Sequence, residues 1–112
     1  MNVQIFGTKK CFDTKKAERY FKERRVKYQL IDLSEKALSK GELSSVKSSV
    51  GLENLINKGS KDYEKLNLNN IRGAEMREEI LLKNPKLYKT PIVRNGKQAT
   101  VGYEPDIWKS WE

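Results

Sequence analysis

Val3-Gln4-Ile5-Phe6-Gly7-Thr8-Lys9-Lys10-Cys11-Phe12-Asp13-Thr14 is the stretch on which the fold turns. Val3 to Phe6 is a short run of strand-forming residues closed by Gly7. Beyond Thr8-Lys9-Lys10 the period changes. Ala17, Tyr20 and Phe21 fall at i, i+3 and i+4, with Lys15, Lys16, Glu18, Arg19 and Lys22 around the rest of the cylinder, so a helix is expected. Asp13 or Thr14 can cap its start by accepting from first-turn N–H groups. Lys27 to Leu33, with Tyr28, Leu30, Ile31 and Leu33 apolar, reads as a second strand. Strand, helix and strand within about 30 residues form a βαβ unit, whose strands run parallel with a right-handed crossover.

From about residue 35 to 84 the apolar positions thin out among Ser, Lys, Glu and Asn. Ser39 to Ser49 reads as an amphipathic helix with Leu43, Val46 and Val50 on one stripe and Gly51 as its stop. Leu52 to Asn57 reads as a helical turn, and Lys58-Gly59-Ser60 opens another around Tyr63 and Leu66. Ala74 to Lys83 is a clearer helix that ends before Asn84-Pro85. Strands return at Pro91 to Arg94 and Lys97 to Val101, flanking Asn95-Gly96, a strong signal for a type I′ hairpin. Gly102 breaks the last strand, and Glu104-Pro105 starts a final helix with Ile107, Trp108 and Trp111. The expected architecture is α/β, βαβ then ββα, with a mixed four-stranded sheet. Residues 1–112 form one domain, with a helical insert at about 35–84 between the second and third strands.

Composition narrows the chemistry. The 112 residues hold 23 Lys and Arg against 15 Asp and Glu, no histidine and one cysteine. One cysteine allows no internal disulfide, and without histidine neither imidazole metal sites nor histidine-based triads are available, so no metal is expected. No apolar run is long enough to span a bilayer, and the opening residues lack a basic leader followed by an apolar stretch. A reduced, cytoplasmic setting is expected. The positive charge gathers between Lys9 and Lys27, where nine cations meet only Asp13, Glu18 and Glu23. Such a patch attracts acidic surfaces or anions, or serves as a solvated helix face. Direct nucleic-acid binding finds no support, because no aromatic or Gly-rich motif accompanies it.

Cys11 carries the most information. It sits between the first strand and the first helix, where orphan N–H groups and the helix dipole favour thiolate over thiol. Lys9, Lys10, Lys15 and Lys16 push the same way. The bland alternative is a small buried apolar residue. Cys11-Phe12-Asp13-Thr14 has the spacing of a redox Cys-x-x-Cys with Thr14 at the second position. A mixed disulfide on Cys11 therefore needs its resolving thiol from outside, from glutathione, another small thiol or a partner protein. The Thr14 hydroxyl can donate to the thiolate, cap the helix, or do both. Thr90-Pro91-Ile92 is the second constellation. A proline opening a strand is ordinary punctuation. In a thiol-active βαβ–ββα domain it is often cis, and then offers the preceding residue's backbone to a cysteine-containing substrate; the sequence leaves cis or trans open.

Gly7-x-x-x-Cys11-x-x-Thr14 leading into a helix, the helical middle, Thr90-Pro91-Ile92-Val93 and Val101-Gly102-Tyr103 together resemble the arsenate reductase-like (ArsC/Spx/YffB-type) family. The resemblance runs in order along essentially the whole chain and implies a thioredoxin-like fold. It places Cys11 at the family's nucleophile, which attacks arsenate in true arsenate reductases and is coupled there to glutathione and a glutaredoxin-like protein. It also implies three oxyanion-binding arginines, and this chain departs at each. Lys58 is the cation left near the first, Thr90 beside Lys89 stands at the second, and Val101-Gly102 offers none at the third. Arginine grips an oxyanion bidentately, which neither lysine nor threonine can do, so efficient arsenate reduction is not implied.

The expected function is thus a single-cysteine thiol oxidoreductase. Cys11 is its nucleophile, Thr14 a helper, Thr90-Pro91 a substrate clamp, and Lys9, Lys10 and Lys58 groups that lower the thiol pKa or attract an anionic thiol such as glutathione. No cofactor is expected to stay bound, with glutathione or another thiol as co-substrate. Val101-Gly102-Tyr103 and the basic N-terminal half support a second reading, a Spx-type transcriptional regulator that binds RNA polymerase. A third is a scaffold without thiol chemistry, with a slow, buried Cys11.

Overall fold

The computed structural model describes residues 2–111. Strands β1 (Val3–Gly7), β2 (Tyr28–Asp32), β3 (Ile92–Asn95) and β4 (Gln98–Val101) make one sheet in the order β2-β1-β3-β4. β1 and β2 are parallel, as their helical crossover through α1 (Phe12–Glu23) requires, and β3 runs antiparallel to both β1 and β4. This is the thioredoxin-like arrangement, with α/β layers on a mixed sheet. Between β2 and β3 the chain forms α2 (Lys40–Val50), α3 (Leu52–Leu55), α4 (Lys61–Lys65) and α5 (Ala74–Lys83), with 3-10 turns at Leu68–Asn70 and Pro85–Leu87. After β4 comes α6 (Pro105–Ser110).

The two-residue period of the strands sorts the core into two layers. Val3, Ile5 and Val93 point to the face covered by α1 and α6, where they meet Ala17, Tyr20, Phe21 and Trp108. Phe6, Ile92 and Ala99 point the other way, onto Leu43 and Val46 of α2 and the residues that follow it. Trp108 fixes α6: its ring lies 5.2 Å from those of both Tyr20 and Phe21, and its Nε1 donates to the buried Thr100 hydroxyl at 2.7 Å. A buried indole is stable only when its N–H finds such a partner. On the opposite face α2 starts with a capping box between Ser39 and Glu42 and ends at Gly51. Ser49 of α2 also closes the outer edge of β4, accepting from Ala99 N–H at 3.0 Å and donating to Ala99 O at 3.3 Å. It thereby occupies an edge that would otherwise invite another strand.

Three expectations shift. The second strand is shorter than Lys27 to Leu33, although Leu33 N–H still donates to Gly7 O at 2.9 Å. The hairpin turn lies one residue further on than Asn95-Gly96. Asn95 stays in the ladder, paired with Val3 on one side and Gln98 on the other, so the two-residue loop is Gly96-Lys97. Gly96 has φ +61° while neither Asn95 nor Lys97 has a positive φ, the II′ pattern in place of I′. Finally, neither Asp13 nor Thr14 caps α1. A turn from Thr8 O to Cys11 N–H (3.2 Å) closes the loop early, so the helix begins at Phe12 and its N-cap is Cys11.

One side chain ties the helices between β2 and β3 together. Arg77, 11% exposed, donates from Nε to Ile71 O at 2.6 Å and from Nη2 to Leu68 O at 2.9 Å, and pairs with both Glu53 oxygens at 2.6 and 2.8 Å. Deleting it leaves Ile71 O without its partner, while Leu68 O keeps Ile71 N–H and the exposed Glu53 keeps Lys58. Arg77→Ala should therefore cost about 1–3 kcal/mol in urea denaturation. Lys58→Ala, which breaks only an exposed 3.4 Å pair with the same Glu53, should change stability by less than about 0.5 kcal/mol.

Candidate active site around Cys11

The site is assembled where β1 hands over to α1. Gly7 ends the strand, and Thr14, one turn into the helix, packs directly on it: a Cβ at Gly7 would lie 2.6 Å from Thr14 Cγ2. No larger residue fits there without displacing Thr14. Cys11 takes the N-cap position with extended backbone (φ −85°, ψ 120°), and its own C=O accepts the first helical bond from Lys15 N–H at 3.2 Å. An N-cap side chain normally offers an oxygen to the N–H groups of the first turn. Here that place is held by sulfur.

As a thiol, Sγ makes no capping bond and instead donates towards Thr90 O at 3.7 Å, so the loop entering β3 closes over the sulfur. The Thr90–Pro91 bond is cis. In this state the Thr14 hydroxyl, buried to 1% exposure, has no partner. Deprotonation supplies one, since a thiolate accepts where the thiol donated. Burial pushes the Cys11 pKa up, but hydrogen bonds from the Thr14 and Thr90 side chains and from the backbone N–H groups of Thr14 and Asp13 together outweigh it. The net shift is downward. Cys11 is half-buried. Phe12 beside it is 79% exposed.

The lysines are not what lowers the thiol pKa. The lowered thiol pKa comes from hydrogen bonds, and Lys9, Lys10 and Lys58 are not among its causes. Lys9 acts on Asp32, helping the Ser34 hydrogen bonds hold that carboxyl below its usual range. Lys10 is exposed in the turn before Cys11. Lys58 pairs with Glu53. Thr14, Thr90 and Cys11 are brought together, with Pro91 buried behind Thr90. On the far side of Thr90 lies a cleft of about 790 Å³, whose lining includes Asp13, Asn54, Asn57, Lys89 and Glu104. The sequence reading gave none of these a role in binding, and only the folded chain gathers them: they come from four separate segments. Among the described residues no group of carboxylates and thiols could hold a metal ion, and no helix is long and apolar enough to cross a membrane.

Known proteins resemble this chain in sequence and in fold. A family model described as the ArsC family matches residues 6–111. A protein named global transcriptional regulator Spx 2 from Oceanobacillus iheyensis is 30% identical over 109 residues, 95% of this chain and 80% of that one. The uncharacterised protein YusI from Bacillus subtilis is 27% identical over 111 residues, covering 95% and 94%. The solved structure of an arsenate reductase from Vibrio cholerae shares the fold at a TM-score of 0.87 and 23% identity, over 98% of this chain and 97% of that one.

Two outcomes test the site. Thr14→Val keeps the packing on Gly7 but removes the hydroxyl, so the midpoint of Cys11 alkylation against pH should move up relative to the parent protein. An unchanged midpoint would exclude Thr14 as a donor. Folding stability should follow the same titration. A thiol pKa lower in the folded than in the unfolded chain stabilises the fold fully above the unfolded value, and that benefit fades as pH falls through the folded value. The stability gap between the parent protein and Cys11→Ser should therefore widen from acid to mildly alkaline pH, as measured by denaturant titration.

Proposed function

The chain belongs to the ArsC family, and on that premise we propose that it acts as a single-thiol oxidoreductase in which Cys11 exchanges with disulfides. The observation that carries this reading is the buried, unpartnered Thr14 hydroxyl beside a half-buried sulfur at the N-cap of α1. An unsatisfied buried hydroxyl is costly, and here its cost falls when the sulfur ionises. The Cys11 thiolate attacks one sulfur of a disulfide RS–SR, forming Cys11–S–SR and releasing RS⁻. A second thiolate R′S⁻ then attacks the R sulfur, giving RS–SR′ and restoring Cys11 as thiolate. Cys11 is the sole cysteine, so R′S⁻ must come from a small thiol such as glutathione or from a glutaredoxin-like partner. A reducing cytoplasm would provide it. Thr90 and Pro91 hold the incoming chain against the sulfur.

Arsenate reduction is not part of this proposal. The cleft beside Thr90 has two carboxylates, Asp13 and Glu104, against one cation, Lys89, which makes a poor receptor for an oxyanion. In the expected outcome the protein forms a one-to-one mixed disulfide with a model disulfide, seen by mass, and turns over only when a second thiol is added. Cys11→Ser should abolish both. A parent protein no faster than an ordinary free thiol at neutral pH would overturn the reading.

The relationship to named transcriptional regulators favours one second reading, a regulator that docks on RNA polymerase through the basic face of α1. Capture of polymerase from a bacterial lysate in low salt, undiminished by Cys11→Ser, would select it over the oxidoreductase. No capture would count against it.

A further inference from the structure

The Ser49 seal on β4 covers one residue of the strand and stops there. In an antiparallel ladder, residues that exchange hydrogen bonds with the neighbouring strand alternate with residues whose N–H and C=O point away from it. Gly102 N–H donates to Pro91 O at 2.8 Å, and the register pairs Thr100 with Val93, so Gly102, Thr100 and Gln98 turn their main-chain groups to β3. Ala99 and Val101 therefore turn theirs outward. Ala99 fixes the phase independently, since the Ser49 hydroxyl bonds both its N–H and its C=O. Val101 has no such cover: among the described residues nothing bonds its N–H or its C=O. It is half-buried and lines the cleft of about 790 Å³, as do Ser49, Val50 and Asn54 from α2 and α3.

We propose that this uncovered stretch of β4 takes an extended segment of another polypeptide, which pairs with Val101 through its main chain and carries a lysine or arginine. Two features choose that occupant. A donor and an acceptor on one residue, facing the same way, match the C=O and N–H of an added strand about 4.8 Å away. A small anion would engage only the N–H. The charged residues of the lining are Asp13 and Glu104 against Lys89, and none of the three forms an ion pair with a described residue. The lining is thus net negative on a chain of net charge +8, which disfavours both an acidic segment and a second copy of the same basic chain. Such pairing needs no chemistry at Cys11, which does not line the cleft.

The test follows main-chain amide exchange by NMR while cysteine-free peptides are added. The probes are acetyl-Thr-Val-Lys-Val-Thr-amide, the same peptide with Gln or Glu in place of Lys, and a series of the Lys peptide in which each amide in turn becomes an ester. In the free protein Val101 N–H should exchange faster than Thr100 N–H, which lies in the ladder. At saturation the Lys peptide should slow Val101 exchange at least tenfold. It should bind at least fivefold more tightly than the Glu peptide, with the Gln peptide between them, and Glu104→Gln should cut that preference at least twofold. Val101→Pro removes the outward N–H while sparing the bonds to β3, a change that an edge strand tolerates, and should weaken binding about tenfold. If that variant does not fold, the ester series makes the same measurement on the parent protein: at least one ester should bind about tenfold more weakly than the amide. Equal affinities for the three side chains, a tighter Glu peptide, an ester series without a weak member, unchanged exchange at Val101, or no saturable binding would each overturn the proposal while leaving disulfide exchange untouched. So would dimerisation of the parent protein that Val101→Pro abolishes, which would assign the edge to a second copy.

Discussion

Thr14 is held against Gly7 so closely that the glycine has no room for a side chain, and its hydroxyl is left buried with nothing to bond while Cys11 is protonated. The rest of the site depends on that constraint. Leaving a hydroxyl unsatisfied in the interior costs on the order of 1–3 kcal/mol, and ionising the neighbouring sulfur supplies the missing partner. The fold thus places a small energetic bias towards thiolate at one atom, and the backbone N–H groups of Asp13 and Thr14 add to it. Long-range charge plays a lesser part than the density of nearby lysines suggests. Lys58 is paired with Glu53, whereas the hydrogen bonds to sulfur are short-ranged and specific.

The sheet exists, in functional terms, to bring two distant segments to that atom. β1 delivers Cys11 to the top of α1, and β3, paired antiparallel to β1 from Phe6↔Ile92 to Val3↔Asn95, delivers Thr90 to the same level. Registry is protected from both faces. Trp108, bonded to Thr100, clamps α6 and α1 on one side, while α2 covers the other and seals the β4 edge through Ser49. The helices between β2 and β3, tied by Arg77, supply Asn54 and Asn57 to the cleft lining, and the loop after β4 supplies Glu104. The surroundings of the sulfur and most of the cleft lining are therefore supplied by different parts of the chain.

Much of this was legible in the residues because local chemistry decides it. The Ala17–Tyr20–Phe21 stripe, the Ser39 cap with Glu42 and the Asn84-Pro85 stop of Ala74 to Lys83 each follow from short-range rules, and the structure places helices there. What was misread depended on tertiary pairing. The hairpin turn moved to Gly96-Lys97 because Asn95 is held in the ladder by Val3, ninety-two residues earlier. The cap of α1 fell on Cys11 because a Thr8–Cys11 turn shortens the loop, which propensity at Asp13 and Thr14 could not reveal. The cleft was invisible for the same reason: Asp13, Asn57, Lys89 and Glu104 share no spacing that would connect them. Close contact between Gly7 and Thr14 was hinted at only by a glycine at a strand end, a residue more often placed there for a turn.

The account rests on a folded-state thiolate preference, and the ionisation of Cys11 itself tests it most directly. Thiolate ultraviolet absorbance can be followed against pH in the native protein and again in denaturant, where the fold's hydrogen bonds are gone. The account predicts a native midpoint clearly below the denatured one. A native midpoint equal to or above it would mean that burial, rather than the donors around the sulfur, governs Cys11, and would contradict the site described above.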